Sequence, residues 1–167
     1  LPLVALSGEF AVRELTVSDI PQMLRLAKSN PQYYEHMRMQ PDADNLAESL
    51  LALPPGRTPA DKHFFGWFCG GRLVAMMDLI WRHPRKEMAF IGWFILDADY
   101  KGKGLGKRLA TDVLHMLGSQ GVREVRLGRI AGNPQSEGFW RACGFQDTGL
   151  SYDTDGYTVV VMSKMLA

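Results

Sequence analysis

The chain has 167 residues, enough for one domain (1–167) with a sizeable core. Nineteen basic and 18 acidic residues nearly cancel, so the charge gives no reason to expect a nucleic acid or a membrane as a partner. No apolar run approaches the roughly 18 residues of a membrane span. Two cysteines, Cys69 and Cys143, fit neither a disulfide framework nor a metal-site spacing, which indicates a reducing, cytoplasmic location and no bound metal.

Hydrophobic periodicity and turn residues divide the chain into strands and helices in the order βααβββαβαββ. The predicted elements are a strand at 10–15, a helix capped by Thr16 or Ser18 and ended by Asn30-Pro31, a helix from Asp42 or Asp44 to Leu53, strands at 63–69, 72–81 and 89–96, a helix at 105–117, a strand at 124–130, a helix at 134–143, and strands at 145–152 and 157–165. This order predicts a mixed α/β fold with a single crossover at 96–124.

A glycine-rich basic turn, Asp99-Tyr-Lys-Gly-Lys-Gly-Leu-Gly-Lys-Arg-Leu109, joins an apolar strand to the helix at 105–117. Its glycines lack a Cβ, so the backbone can come close to a ligand. The start of the helix offers unpaired N–H groups and the positive end of its dipole. Together these features predict a phosphate or pyrophosphate site. Four side chains add positive charge to it: Lys101, Lys103, Lys107 and Arg108.

Three phosphate-binding patterns compete for this turn, besides a plain turn with solvated lysines. A Walker loop fails, because Lys101 replaces its first glycine and Arg108 its hydroxyl residue. The dinucleotide fingerprint has Lys107 in place of its third glycine, but Glu124 could be its ribose-binding acid, which leaves an NAD-binding oxidoreductase open. The pattern Arg/Gln-x-x-Gly-x-Gly/Ala matches Lys101-x-x-Gly104-x-Gly106, with a basic residue in first place. Here the chain resembles the GCN5-related N-acetyltransferases (GNAT superfamily), whose loop of this kind binds the pyrophosphate of acetyl-coenzyme A.

A second segment, Asn133-Pro-Gln-Ser-Glu-Gly-Phe-Trp-Arg-Ala-Cys-Gly-Phe145, is similar to a later motif of that family. Asn133 is suited to cap a helix with Pro134 in its first position, and Gly144 is suited to end it. In the family this asparagine contacts the pantetheine arm, and the short helix lies beside the cofactor's sulfur. The resemblance covers roughly residues 9–165 and implies a GNAT-type fold, in which a largely antiparallel seven-stranded sheet is flanked by about four helices.

The resemblance also implies an activity, the direct transfer of an acetyl group from acetyl-coenzyme A to a primary amine without a metal. In the family, the pantetheine arm pairs with the main chain of the strand before the glycine loop, and N–H groups of that strand stabilise the oxyanion. The cofactor-binding residues implied are Phe94, Ile95, Leu96, Lys101, Gly102, Lys103, Gly104, Leu105, Gly106, Lys107, Asn133 and Trp140.

Proton transfer has several candidates. Asp78 is the favoured general base, since it is the one acid in an apolar strand, although it could instead face solvent or pair with Arg82 or Lys86. Glu87, at the start of the cofactor strand, and Asp97, at its end, are further candidates, and either could be an ordinary turn residue. Many family members have a tyrosine that protonates the leaving thiolate. Trp140 stands there in this chain, and its indole is not an acid; Tyr152 or a water could take that role.

The acceptor side is expected between the first two strands. Tyr33 and Tyr34 could line an amine pocket in which Glu35 attracts a cation, although Tyr33 and Met37 could equally form the packing face of a helix. We expect one tyrosine to pack and the other to line the pocket. The acceptor is predicted to be a small-molecule amine, with a peptide amine as the second choice, and a homodimer stays open. A non-catalytic module that senses acyl-coenzyme A is the other alternative to an enzyme.

Overall fold

Seven strands and five α-helices make up the computed structural model, which describes residues 1–166. The strands are β1 (Ala11–Glu14), β2 (Lys62–Cys69), β3 (Arg72–Trp81), β4 (Met88–Leu96), β5 (Glu124–Ile130), β6 (Gln146–Thr154) and β7 (Tyr157–Met165). The helices are α1 (Ile20–Lys28), α2 (Pro31–His36), α3 (Ala43–Leu51), α4 (Leu105–Ser119) and α5 (Pro134–Ala142). No helix within the described range is long and apolar enough to cross a bilayer.

The strands form a single sheet in the order β1-β2-β3-β4-β5-β7-β6. All neighbours are antiparallel except β4 and β5, which α4 connects as a parallel pair. The predicted mixed α/β fold with one parallel crossover is therefore confirmed. One helix was missed: Pro31 ends α1 as expected but also begins α2, because a proline is well accommodated in the first position of a helix.

Short-range interactions explain where the helices begin. The Thr16 and Asp19 side chains form a capping box just before α1. Asp42 accepts a hydrogen bond from the Asn45 amide at 2.8 Å and so caps α3. Asn133 caps α5 in the same way. These caps lie where the sequence placed them, and the structure decides for Thr16 over Ser18 and for Asp42 over Asp44.

The core lies on both faces of the sheet. On one face, α4 and α5 bury side chains such as Leu109 and Trp140 against Phe65. On the other face, Met23 of α1 and Leu46 of α3 pack against the sheet. Burial of a large apolar side chain stabilises a fold by about 1.5–3 kcal/mol. Both faces thus hold the sheet rigid where the site forms.

The parallel pair β4–β5 separates halfway along. Residues 88–91 of β4 pair with 124–127 of β5, whereas on the other side β4 stays paired with β3 as far as Leu96. Gly92 is an extra residue in β4, because Trp93 lies opposite Asp78 and Ile91 lies opposite Leu79. The bulge coincides with the point where the two strands diverge. Residues 92–96 consequently have no strand partner on the β5 side.

Candidate active site

A cavity of about 620 Å³ occupies the gap between the diverging strands. We call it the main cavity. Its wall is built from residues of five segments: 91–96 of β4, 98–107 in the turn and the start of α4, 127–130 of β5, 133–140 at the cap and along α5, and 29–33 at the junction of α1 and α2. The cavity therefore lies where the carboxyl ends of the two parallel strands meet the amino ends of two helices, a common position for ligand sites in α/β sheets.

The open edge of β4 forms one side of the main cavity. Phe94, Ile95 and Leu96 all lie in its wall, and their main chain pairs with β3 on the other side only. The Leu96 carbonyl accepts a hydrogen bond of 2.9 Å from the buried side chain of Asn30, which ties the end of α1 to the end of β4. Sequence reasoning missed Asn30, since only the fold brings it next to β4.

The glycine-rich turn closes the end of the main cavity. Gly102 (φ +81°) and Gly104 (φ +77°) have left-handed backbones, and a Cβ at either position would meet no atom within 4 Å. Positions 102 and 104 therefore require glycine because of their backbone conformation, since the left-handed region is costly for other residues. Gly106 is helical instead, and a Cβ there would lie 3.2 Å from the Phe139 ring. That glycine lets α4 approach α5.

The same turn presents a row of free backbone donors. The first helical hydrogen bond of α4 runs from the Arg108 amide to the Gly104 carbonyl. Within residues 1–166, the amides of 102–107 donate to no protein group. Such a row at a helix start, with the positive end of the dipole behind it, binds anions.

The four basic side chains of the turn divide into two kinds. Lys101 and Lys107 lie in the wall of the main cavity, as does Leu105. Lys103 is exposed and outside the wall. Arg108 points elsewhere and forms an ion pair with Glu9. Two of the predicted cations thus face the site.

The start of α5 forms the opposite wall. Asn133 is buried, its Oδ1 accepts a 3.2 Å hydrogen bond from the Ser136 amide, and its Nδ2 donates to no residue that the structure describes. Trp140 is also buried, and its ring centroid lies 4.9 Å from that of Phe139 and 5.4 Å from that of Phe145. Both Asn133 and Trp140 reach the cavity wall. Trp140 is hence a core residue with one edge on the site.

A smaller cavity of about 220 Å³, which we call the side cavity, adjoins the first between the sheet and helices α2 and α3. Tyr33, Gly92 and Trp93 line both cavities. The other residues of the side cavity are Tyr34, Met37, Met39, Pro41, Asp42, Asn45, Leu46, Ser49 and Asp78. Tyr33 lines both cavities and Tyr34 is the more buried of the pair, while Glu35 is exposed and outside both walls. Burial raises the pKa of both tyrosines, so both remain protonated at neutral pH.

Asp78 lies in the wall of the side cavity, paired with a lysine that sequence reasoning missed. The Lys62 ammonium is 2.9 Å from Oδ1 and 3.0 Å from Oδ2 of Asp78, and both side chains are mostly buried. Burial raises the pKa of Asp78, and Lys62 opposes that rise without cancelling it. The expected partners were Arg82 or Lys86. Lys62 is the diagonal neighbour of Asp78 across β2 and β3, and it was missed because β2 was predicted to begin one residue later.

Three other acids considered from sequence are not in the wall of either cavity. Glu87 is in an exposed turn at the far end of β4, nine residues or roughly 30 Å from Leu96. Glu124 is at the far end of β5 and accepts hydrogen bonds from Arg126 and Ser163. Asp97 is buried below the end of β4.

Asp97 instead connects neighbouring elements of the fold. Its carboxylate accepts hydrogen bonds from Arg25 at 2.7 Å, from Arg72 at 2.9 Å and from the Asp99 amide at 2.9 Å. Burial alone would raise the pKa of Asp97, but the hydrogen bonds from Arg25, the Asp99 amide and Arg72 outweigh it and hold the pKa below its usual range. A carboxylate so held is a poor base and a good anchor between α1, β3 and β4.

Tyr152 of β6 is not in the wall of the main cavity, but its hydroxyl approaches a residue that is. Its hydroxyl lies 3.8 Å from the position that a Cβ of Gly128 would occupy, and Gly128 is in the cavity wall. The side chain spans β7 to get there, which the absence of a side chain at Gly128 permits. The ring is about half exposed.

These features define a class of α/β protein in which a split sheet opens onto a glycine-rich anion site at a helix start. The sequence model described as "Acetyltransferase (GNAT) family" matches residues 21–145, and the chain belongs to that family. A comparison with curated protein sequences gave no match.

Solved structures agree on the fold. An acetyltransferase from Thermus thermophilus is 24% identical, with a TM-score of 0.74 over 94% of this chain and 97% of that one. The PaiA N-acetyltransferase from Thermoplasma acidophilum, solved with coenzyme A, is 20% identical (TM-score 0.68, covering 94% and 99%). A Salmonella typhimurium acetyltransferase that modifies the N-terminal serine of ribosomal protein L7/L12 is 13% identical (TM-score 0.77, 98% and 99%). At such identities the likeness shows the fold and leaves the acceptor open.

Proposed function

We propose that the protein is an N-acetyltransferase that moves an acetyl group from acetyl-coenzyme A directly to the primary amine of a small molecule. One observation carries the proposal: the turn whose amides at 102–107 are free and the unpaired edge of β4 both line the main cavity, Lys103 alone of that turn lying outside its wall. An elongated ligand with a diphosphate and an amide-containing arm matches both features at once. Cys69 and Cys143 are unpaired within the described residues, which suits a reducing cytoplasm.

The residues of the main cavity fit acetyl-coenzyme A. The diphosphate would bind the amides of 102–107, with Lys101 and Lys107 beside it. The pantetheine arm would lie along Phe94–Leu96 by main-chain pairing, with the free Nδ2 of Asn133 as a further donor. When bound, the cofactor supplies a thioester carbonyl that an amine can attack. Main-chain N–H groups on the open edge of β4 are suited to stabilise the oxyanion that forms.

Asp78 is the proposed general base. An alkyl ammonium has a pKa of about 10.4, so a proton must be removed before its nitrogen can attack at neutral pH. The carboxylate lies in the side cavity, which joins the main cavity at Gly92 and Trp93. Its raised pKa makes Asp78 a better proton acceptor, and Lys62 favours its ionised form. The proton passes from the amine to Asp78 directly or through one water.

Tyr152 is the proposed proton donor to the leaving thiolate. Its hydroxyl lies near Gly128, a residue in the wall of the main cavity, whereas the Trp140 indole has no acidic proton to give. In the complete reaction a C–N bond forms and the C–S bond breaks. The ammonium loses two protons in all, and Asp78 takes each from the nitrogen and passes it to water. The thiolate takes one proton from Tyr152, which regains one from water, so one proton is released overall.

Two measurements test the proposal. Acetyl-coenzyme A at about 100 times its dissociation constant should stabilise the protein by about 2.7 kcal/mol, a rise in Tm of about 5–10 °C, whereas NAD should give no rise. A panel of amines should then release free thiol, with Asp78→Asn as the impaired control. A rise with NAD alone would indicate the oxidoreductase, and binding of acetyl-coenzyme A without turnover would indicate a sensor.

A further inference from the structure

The chemistry of the side cavity restricts the acceptor, if the proposed function holds. The two cavities share Tyr33, Gly92 and Trp93 in their walls, and this adjacency is the basis for placing the acceptor amine in the side cavity, next to a thioester in the main one. The volume of 220 Å³ is that of about seven liquid waters. Only a small molecule, or the tip of a larger one, fits there.

Aromatic rings form the inner end of the side cavity. The Tyr33 ring stacks on Trp93, with centroids 6.0 Å apart and planes 26° apart. Tyr34 meets Trp93 edge-on at 6.3 Å and Tyr33 edge-on at 5.4 Å. Met37 and Met39 add flexible apolar surface to the wall. Such a wall favours a ligand with a flat, apolar body.

Only one carboxylate of the side cavity is available to a ligand. Both oxygens of Asp42 accept hydrogen bonds from Asn45, one from its amide and one from its side chain. Oδ1 of Asp78, in contrast, is buried and 2.9 Å from the Lys62 ammonium, but the hydrogen bond from Lys62 is directed at Oδ2, so Oδ1 keeps its own capacity to accept one. Lys62 also offsets the charge of Asp78. The side cavity can thus receive one amine nitrogen and has no carboxylate for a second.

Trp93 provides one more free polar atom. Its Nε1–H is buried at the junction of the two cavities and has no partner among residues 1–166. A buried unpaired donor is costly unless a ligand or a water satisfies it. This N–H is available to an oxygen near the reacting nitrogen.

We infer that the acceptor is a small arylalkyl monoamine, and that polyamines and aminoglycosides, which carry further amines, are poor acceptors. The amine nitrogen lies toward Asp78 and the ring packs on Tyr33 and Trp93. The inference rests on the proposed function and adds to it the class of substrate.

The test compares kcat/KM for 2-phenylethylamine, spermidine and a short peptide with a free N-terminal serine, all measured by thiol release. The expected result is a value at least tenfold higher for 2-phenylethylamine. Met37→Asp should place a second carboxylate in the half-buried wall and lower the ratio of phenylethylamine to spermidine at least tenfold. Met37→Asn, which adds no charge, should leave the ratio within about threefold. Both variants should keep the Tm rise with acetyl-coenzyme A, which shows that they fold and bind.

Each other outcome has a definite meaning. Equal or better use of spermidine or the peptide by the unmodified protein would overturn the inference and leave the acetyltransferase intact. The same ratio in both Met37 variants would also overturn it, because the side cavity would not then select the acceptor. Absence of thiol release with every amine would remove the proposed function itself.

Discussion

The Lys62 ammonium lies 2.9 Å from Oδ1 of Asp78, and both side chains belong to the sheet face that α1 and α3 cover. The Lys62 ammonium favours the ionised form of Asp78, since a buried carboxylate without a partner would be costly to desolvate. The pair therefore links the stability of the sheet to the protonation state of the proposed base.

Lys62→Met tests this link. The variant leaves the Asp78 carboxylate without its partner, so its pKa should rise further. The acid limb of the kcat/KM profile should consequently move to higher pH, and the free energy of unfolding at pH 7 should fall by about 3–5 kcal/mol. Urea denaturation and a pH–rate profile measure the two effects. Lys86→Met, the same substitution at an exposed site, should change neither. An unmoved acid limb would remove Asp78 from the base role.

Asp97→Asn tests the anchor below β4. Asp97 is ionised well below neutral pH because Arg25 and Arg72 donate to it. The variant should lose about 1.5–3 kcal/mol of unfolding free energy at pH 7. A carboxyl group whose pKa is lower in the folded than in the unfolded chain stabilises the fold at pH values above its unfolded pKa of about 3.9. That stabilisation is lost as the pH falls through the pKa of the folded state. The difference in unfolding free energy between the variant and the parent should therefore become smaller as the pH is lowered toward 3. Asp99→Asn, at an exposed position, is the control. A difference in unfolding free energy between Asp97→Asn and the parent that stays constant with pH would contradict the prediction.

Gly104→Ala tests the amide row. A Cβ at this position meets no atom, so the cost should come from the left-handed backbone, about 1–2 kcal/mol. Relaxation of that strain would turn the N–H groups of the turn, and the affinity for acetyl-coenzyme A should fall at least tenfold in calorimetry. Gly138→Ala in α5 is the matched control, since its backbone is helical and its surroundings are open. That variant should be as stable as the parent or more stable. Normal affinity in Gly104→Ala would argue against the turn as the diphosphate site.

Tyr152→Phe tests the proton donor. Loss of the hydroxyl beside Gly128 should lower kcat by about tenfold to a hundredfold, at the weak end of general acid catalysis because a thiolate is a fair leaving group. The dissociation constant of acetyl-coenzyme A should not change. Trp140→Tyr, added to Tyr152→Phe, puts a phenol at the cavity edge from α5 and should restore part of kcat. If the kcat of Tyr152→Phe equals that of the parent, Tyr152 is not the proton donor, and a water supplies the proton to the thiolate.

Much of this molecule could be predicted from its sequence because the signals are local. The β2–β3 hairpin at Gly70-Gly71, the cap of α5 at Asn133 and the turn before α4 depend on contacts or backbone preferences within a few residues. Periodicity of 2 or 3.6 likewise decides strand or helix over a single segment. The element order apart from α2, and the two motifs, followed from such signals, and the resemblance to the family followed from the motifs.

Tertiary structure alone decided how distant side chains meet. The hydrogen bond of Lys62 with Asp78 joins residues 16 apart, and that of Arg25 with Asp97 joins residues 72 apart. Three further features exist only once the sheet has formed. They are the separation of β4 from β5, the approach of Tyr152 to Gly128, and the contact of the two cavities at Trp93. No spacing in the chain encodes these contacts, because the registers of seven strands and the packing of helices on two faces bring the atoms together. The sequence predicted an anion site at the glycine-rich turn, and the packed sheet determined that Asp78 lies in the neighbouring side cavity with Lys62 beside it.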